Sequence, residues 1–261
     1  MIQKPTLAKL KFVLVFIFAF IVKDLCAQTP PYFKQSTTGT TNSFPFQTTT
    51  SNKVQWVYYP SNFPTATNRG KIAKIYFRTS SIATTPFVFT NLTVKMGYTT
   101  LTSFVTGPFE TGLQTCLNAA SYTIQATGAG NWVEIALTNP FIYDPTKNFL
   151  VEVSQTAYTA GFSIYQGADP GDRRLYGAVS SSTGTSGAGG LADFGFTLDA
   201  LSSNDAGVVR LDSPITFCTG ATKDIYATIK NMGINRINSV NVNWSVNGVL
   251  RTPIAYTTLL D

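Results

Sequence analysis

Residues 131–153 read N-W-V-E-I-A-L-T-N-P-F-I-Y-D-P-T-K-N-F-L-V-E-V, and this stretch decides the fold class. Apolar Val133, Ile135 and Leu137 alternate with a mixed set (Trp132, Glu134, Ala136 and Thr138), a period of two that predicts a strand with one apolar face. Asn139-Pro140 interrupts the alternation, and Asp144-Pro145 predicts a turn. Residues 149–153 predict a second strand that is buried more fully. The stretch therefore predicts the interior of an all-β domain.

Further short strands are predicted on both sides of this stretch. They cover residues 53–59, 71–79, 87–96, 122–125, 162–166 and 194–198, and then 205–211, 224–230 and 239–246. Beyond the N-terminus no 12-residue window has a convincing 3.6-residue period, and at most residues 113–118 are expected to form one helical turn. Many short strands separated by Gly, Pro and Asn predict a sandwich or jelly roll.

The 261 residues are predicted to form two β domains. Residues 28–51 are interpreted as an extended lead-in that docks on a sheet edge, with Phe44-Pro45-Phe46 as its apolar anchor. Residues 52–201 are predicted to be the β-sandwich or jelly-roll-like domain, in which residues 179–190 form a long mobile loop. An immunoglobulin-like sandwich takes about 100 residues, so residues 204–261 are interpreted as an incomplete one. Further domains of the same polypeptide are expected after it.

Residues 1–27 have the pattern of a cleaved signal peptide. Lys4, Lys9 and Lys11 precede an apolar run of 11 residues at 12–22, and cleavage is expected after Ala27. A transmembrane anchor needs ~20 apolar residues, and the residue before a lipidated cysteine is normally small, whereas Leu25 precedes Cys26. We therefore expect a secreted or cell-surface protein without a stable transmembrane span after cleavage; an uncleaved anchor and a lipoprotein are the alternatives.

Cleavage would leave Cys116 and Cys218, which lie 102 positions apart in different predicted domains. A disulfide would have to join the two domains, so two unpaired thiols buried as small apolar groups are expected instead. The formal charge of +6 falls to +3 without residues 1–27, because 15 basic and 12 acidic residues remain. Those basic residues are mostly scattered, so nucleic-acid binding, which uses a dense basic stripe, is not expected.

The chain has no histidine, which removes histidine-activated nucleophiles and every histidine-containing zinc site. We predict no catalytic and no cofactor-binding residue. Carboxylate catalysis stays open in principle, but Glu134 and Glu152 are placed on the strand faces opposite the core and are interpreted as solvated. Asp169 and Asp172 flank Pro170-Gly171 and are weak candidates for calcium ligands; the plainer interpretation of this tetrapeptide is a β-turn.

Aromatic residues raise the question of glycan binding. Trp56 and Trp132 are predicted to lie in the core, as is usual for tryptophan in a sandwich. Tyr98, Tyr158 and Tyr176 are the candidate glycan-stacking residues.

Several short motifs, separated along the chain, resemble motifs of known families. Within residues 44–199 these motifs are N-L-T-V-K-M-G at 91–97, L-T-S-F at 101–104, G-N-W-V at 130–133, F-I-Y-D-P at 141–145 and D-F-G-F at 193–196. This region resembles a β-rich N-terminal module of large surface and secreted proteins exported by the bacterial type IX secretion system. Residues 204–261, with D-A-G-V at 205–208 and W-S-V-N-G at 244–248, are similar to CARDB-like, immunoglobulin-fold cell-adhesion modules.

The resemblances imply a non-catalytic protein with an adhesive or spacer role. We expect an adhesion or display module whose loops at 97–120 and 157–190 face outward and contact an extracellular protein or glycan surface. The alternative is a carbohydrate-binding accessory module of an exported hydrolase whose catalytic domain lies beyond Asp261.

Overall fold

The computed structural model describes residues 29–37, 39–80, 85–125, 128–187, 190–213 and 224–260. The expected signal peptide and Cys218 lie outside these ranges. The described chain consists of antiparallel strands and one short 3₁₀ turn at Pro60–Asn62, which confirms the predicted all-β class. In the part of the chain that is described, no helix has the length and apolar character needed to cross a membrane.

Fifteen strands lie among the described residues of the N-terminal part, up to residue 199. They are β1 Tyr32–Lys34, β2 Thr40–Asn42, β3 Lys53–Tyr58, β4 Gly70–Arg78, β5 Phe87–Tyr98, β6 Gly107–Pro108, β7 Gln114–Ile124, β8 Trp132–Tyr143, β9 Phe149–Ser154, β10 Ala157–Ala160, β11 Ile164–Gly167, β12 Arg174–Gly177, β13 Thr183–Gly187, β14 Leu191–Ala192 and β15 Phe194–Asp199.

Two antiparallel sheets pack face to face in this part. The smaller sheet has the order β1-β15-β4-β8, and the larger has the order β10-β5-β9-β3-β12-β13-β6 with β7 paired to β5. Their inner faces enclose one aromatic-rich core, in which the rings of Trp56 and Phe77 approach to 5.5 Å between centroids. Strands β14, β11 and β2 form a third, three-stranded sheet.

The interruption at Asn139-Pro140 is a bulge within a continuous strand β8. Lys74 pairs with Ala136 and Ile72 with Phe141, so residues 137–140 stand opposite Ala73 alone. A bulge tolerates proline because the missing N–H is not needed in the ladder. Within the bulge, the Thr138 hydroxyl donates to the carbonyl of Cys116 on β7 at 3.1 Å. The bulge therefore ties the edge of the smaller sheet to the larger sheet.

The lead-in docks on a sheet edge, as predicted. Strand β1 pairs with β15 at the edge of the smaller sheet, and Phe46 is fully buried. Asp193, with no exposed surface, accepts hydrogen bonds from the backbone N–H and hydroxyl of Ser36 at 2.7 and 3.1 Å. Lys34 and Arg78 lie 3.7 and 3.4 Å from the same carboxylate. A buried ionic network thus reinforces the backbone pairing.

The helical turn predicted at 113–118 is wrong, because strand β7 begins at Gln114. It pairs with β5 from Phe87 opposite Ile124 to Met96 opposite Gln114. The open edge of a long strand offers a full ladder of backbone hydrogen bonds, and this tertiary pairing outweighs local preference.

The prediction of a mobile loop at 179–190 is also wrong, because strand β13 lies within this range and pairs with β12 and β6. Its glycines allow close packing: a side chain at Gly184 would begin 2.7 Å from the ring of Phe109 and 2.9 Å from Leu175. The outward loops expected at 97–120 and 157–190 are interrupted by strands: β6 and the start of β7 lie in the first range, and β10 to β13 lie in the second.

Six strands lie within residues 206–213 and 224–260, which the structure describes in the C-terminal part. They are β16 Ala206–Ser213, β17 Tyr226–Asn231, β18 Val240–Val242, β19 Ser245–Val246, β20 Val249–Leu250 and β21 Ile254–Tyr256. They form three two-stranded ladders: β16-β17, β18-β21 and β19-β20. Asn247 and Gly248 join β19 to β20 with φ angles of 51° and 79°, as a tight hairpin turn requires.

An apolar cleft of about 530 Å³ lies among these ladders. Leu211 and Ile254, which line it, are 60% and 59% exposed.

Candidate functional site

A polar cleft lies on the outer face of the larger sheet, which is the face turned away from the main core. Its volume of about 380 Å³ falls within the ~300–1,000 Å³ usual for small-molecule sites. We call it the outer cleft, and it is lined by Lys53, Lys95, Phe109, Glu110, Thr111, Gly112, Leu113, Thr115, Glu152, Ser154, Val179 and Ser182.

The floor of the outer cleft is a ladder of polar side chains across three neighbouring strands. Lys95 on β5 stands opposite Glu152 on β9, which stands opposite Gln55 on β3. Two residues further along, Lys53 on β3 stands opposite Ser154 on β9. Side chains alternate between the faces of a strand, so the residues between these positions point into the main core. The pairing register therefore gathers the polar groups on one patch.

The wall of the outer cleft is residues 99–113, which fold over the sheet and which we call the covering segment. Phe104 and Phe109 of this segment pack on Val57, Leu150 and Leu175 of the sheet in a second, small apolar core. Gln55 also fixes the segment at Glu110: its Nε2 donates to the carbonyl at 2.8 Å, and its Oε1 accepts from the backbone N–H at 2.9 Å. The cleft thus lies between a rigid sheet and a pinned wall.

Glu152 is almost fully buried, at 4% exposure. Its Oε2 accepts a hydrogen bond from Gln55 Nε2 at 2.7 Å, and its Oε1 lies 3.2 Å from Lys95 Nζ. The prediction that Glu152 is solvated is wrong, although its strand face was predicted correctly, because the covering segment shields that face. For Glu134 the prediction is confirmed: it is exposed and lies 2.9 Å from Lys74 Nζ.

Lys53 forms one side of the outer cleft. Its Nζ lies 3.9 Å from the ring centroid of Phe109 and donates to the carbonyl of Ser181. Burial lowers the pKa of Lys53 below its ordinary value, and the charge of Glu152 opposes that shift. The lining contains two lysines, Lys53 and Lys95, and two glutamates, Glu110 and Glu152, so its formal charge is zero.

A shallow depression of about 650 Å³ adjoins the outer cleft, and Glu110 lines both. We call it the Tyr98 depression; it is lined by Tyr98, Thr99, Thr100, Glu110, Thr146, Lys147 and Asn148. Tyr98 is 37% exposed, with its ring 5.1 Å from that of Phe141 and 5.0 Å from Lys147 Nζ. The structure thus places this candidate stacking residue at a cavity.

The other two candidate stacking residues lie elsewhere. Tyr158 and Tyr176 are partly buried against the main core. The ring of Tyr176 lies 4.8 Å from Phe44 and 5.0 Å from the guanidinium of Arg174. The three tyrosines therefore do not form a common stacking platform.

The two calcium candidates bind different protein groups. Asp169 pairs with Lys34 Nζ at 2.8 Å, and Asp172 accepts a hydrogen bond from the hydroxyl of Ser186 at 2.5 Å. Gly171 between them has a φ of 82°, as a tight turn allows. Within the described ranges, no group of three or more Cys, Asp or Glu side chains is placed to hold a metal ion.

Trp56 is fully buried in the main core, as predicted. Trp132 is buried as well, but on the outer face of the smaller sheet, 5.6 Å from the ring of Phe33, rather than in the main core. Cys116 is a free, buried thiol in the described part of the chain, and burial raises its pKa to about 12. Its predicted counterpart, Cys218, is among the residues that are not described.

Sequence reasoning missed Lys53, Lys95 and Ser154 as site residues. The signal was present: polar residues occupy alternate positions of β3, β5 and β9, on the face opposite the apolar residues. The register that aligns them is a tertiary feature. No family model, curated protein or solved structure matches this chain, so the site is interpreted from its own chemistry.

Proposed function

We propose that this chain is a non-enzymatic module for adhesion or display in a secreted or cell-surface protein, and that the outer face of the larger sheet is its contact surface. The proposal rests on the outer cleft. Strand register fixes the polar side chains of its floor, and hydrogen bonds from Gln55 fix its wall. A site whose groups are held in place before contact loses little entropy when a partner binds.

The contacts of Glu152 support binding rather than catalysis. Both of its oxygens are engaged, one by Gln55 and one by Lys95. A general acid or base has to reach the proton that it transfers, whereas this carboxylate is held by contacts within the protein. The resemblances to type IX-exported surface modules and to CARDB-like adhesion modules support an extracellular address and an adhesive role.

The second candidate function is that of a carbohydrate-binding accessory module of an exported hydrolase. The Tyr98 depression favours it, since a partly exposed tyrosine ring beside hydroxyl and amide side chains offers an apolar surface with polar groups at its edge. In this second candidate function the chain is attached to a hydrolase and binds glycans alone. In the first, it is part of an adhesion or display protein and can also bind proteins.

One experiment separates these functions from catalysis. The purified chain is applied to arrays of immobilised glycans and extracellular proteins, and both retention and product release are recorded. We expect retention without release of sugars or peptides. Retention on polysaccharides alone would favour the accessory module over the general display module. Product release, or no retention on any surface, would contradict the proposal.

Thr111→Trp is the informative variant for this experiment. Thr111 is exposed at the rim of the outer cleft, so a tryptophan there would narrow the opening without removing a core contact. We expect it to reduce retention. Glu134→Gln, on the outer face of the smaller sheet, is the matched control and is expected to leave retention unchanged.

A further inference from the structure

We propose that the outer cleft binds a neutral, polyhydroxylated ligand, namely an uncharged hexopyranose unit of a glycan chain. This inference rests on the proposed binding function and deepens it by naming the ligand class. Three properties of the outer cleft lead to it: its charge balance, its hydrogen-bonding groups and its continuity with the Tyr98 depression.

The charge balance argues against an ionic ligand. Lys53 and Lys95 stand with Glu110 and Glu152 around one cavity. A lone anion or cation would meet attractive and repulsive charges together, so its net Coulomb gain would be small, while it would still lose its hydration. A neutral ligand avoids the larger cost of desolvating a charge. It can still receive charge-assisted hydrogen bonds, which are about twice as strong as neutral ones.

The hydrogen-bonding groups fit adjacent hydroxyls. A sugar hydroxyl both donates and accepts, so a pair of neighbouring hydroxyls is matched by an acceptor and a donor side by side. Glu152 Oε1 and Lys95 Nζ, 3.2 Å apart, are such a pair. A carboxylate has about four lone-pair positions, and the contacts from Gln55 and Lys95 use two of them. Ser154 on the floor and Thr115 at the side add further hydroxyl groups.

The fixed geometry of the cleft suits a rigid ring. Gln55 holds both Glu152 and the backbone of Glu110, so floor and wall keep their spacing. At the rim, Gly112 is exposed and has a φ of 74°.

The Tyr98 depression extends the site for a longer chain. The ring of Phe109 in the outer cleft is buried beneath Lys53, so it is not available for stacking. The partly exposed ring of Tyr98 lies in the adjoining cavity, beyond Glu110. A glycan with one unit in the outer cleft would pass Glu110 and reach the exposed edge of Tyr98, because Phe141 and Lys147 Nζ lie against the ring at 5.1 and 5.0 Å.

Calorimetric titration of the full chain tests this inference. The probes are methyl hexopyranosides and neutral unbranched oligosaccharides of gluco, manno and galacto configuration, compared with glucuronic acid, glucosamine and inorganic phosphate. We expect at least one neutral series to bind, more tightly as the chain lengthens, and the ionic probes to bind about tenfold more weakly or not at all. Stronger binding of an ionic probe, or no binding of any neutral saccharide, would overturn the inference.

Four variants locate the binding. Glu152→Gln and Lys95→Met are each expected to weaken saccharide binding about tenfold, whereas Tyr98→Ala should weaken only the oligosaccharides. Thr111→Trp blocks the rim without changing the buried hydrogen bonds of Glu152. It therefore still tests the site if Glu152→Gln or Lys95→Met unfolds the protein. Glu134→Gln serves as control. Saccharide binding of equal strength in all of these variants would overturn the assignment to the outer cleft.

The result also distinguishes this inference from the proposed function. Retention on immobilised proteins without saccharide binding would overturn the inference and leave the display function standing. Saccharide binding followed by release of hydrolysis products would support the ligand class and contradict the non-enzymatic function.

Discussion

The outer faces of the two sheets each carry one lysine–glutamate pair across neighbouring strands, in very different surroundings. On the smaller sheet, Lys74 and Glu134 lie 2.9 Å apart, with side chains 46% and 41% exposed. On the larger sheet, Lys95 and Glu152 lie 3.2 Å apart, with side chains 40% and 6% exposed, so that the carboxylate alone is shielded from water. Both pairs consist of a lysine and a glutamate on neighbouring strands. The two glutamates therefore differ in exposure because of what covers the sheet above them.

The difference is the covering segment. It shields one face of the larger sheet, packs Phe104 and Phe109 there and leaves a cleft over Glu152. An exposed ion pair is screened by water and contributes little. A shielded carboxylate such as that of Glu152 keeps a fixed geometry and makes stronger hydrogen bonds, which a ligand can use. One polar ladder is therefore ordinary surface, while the other is a candidate binding site.

Removing the anchor of the covering segment should have the largest effect. Phe104→Ala deletes a buried ring from the small outer core, and such truncations cost ~3 kcal/mol or more. The neighbouring Val105 is 80% exposed, so Val105→Ala should change the free energy of unfolding by less than about 0.5 kcal/mol. Urea unfolding of both variants measures this. Equal effects would show that the covering segment is not held by its aromatic anchor.

Breaking the two ion pairs should have a smaller and unequal effect. Glu152→Ala leaves a donor of Gln55 and the charge of Lys95 without their carboxylate, which should cost ~2–3 kcal/mol. Glu134→Ala should cost less than about 1 kcal/mol.

Double-mutant cycles with Lys95→Met and Lys74→Met, followed by urea unfolding, isolate each pairwise term. A coupling free energy for Lys74–Glu134 as large as that for Lys95–Glu152 would refute the contrast between the two faces.

The sequence predicted the strands of the sandwich because their alternation is local. Strands β3, β4, β5, β9 and β15 lie within one or two residues of the predicted ranges. The faces of Glu134 and Glu152 follow from the same alternation. Burial on the outer face could not be predicted this way, because it depends on residues 99–113 returning over the sheet, which is a long-range contact.

The errors had the same origin. Residues 114–118 and 183–187 lack a strong strand pattern of their own, and they form strands by pairing with edges supplied elsewhere in the chain. Tyr158 and Tyr176 were singled out for their residue type, but strand pairing turns both toward the main core. The outer cleft was missed because register, rather than any sequence motif, aligns Lys53, Lys95 and Glu152.

The most direct test of the central claim is the response of individual lysine side chains to a neutral oligosaccharide, followed by NMR of the assigned ε-methylene signals in the full chain. If the outer cleft is the binding site, the signals of Lys53 and Lys95 shift and saturate together, while the signal of Lys74 stays in place. Unchanged signals for Lys53 and Lys95, or an equal shift of Lys74, would contradict the claim.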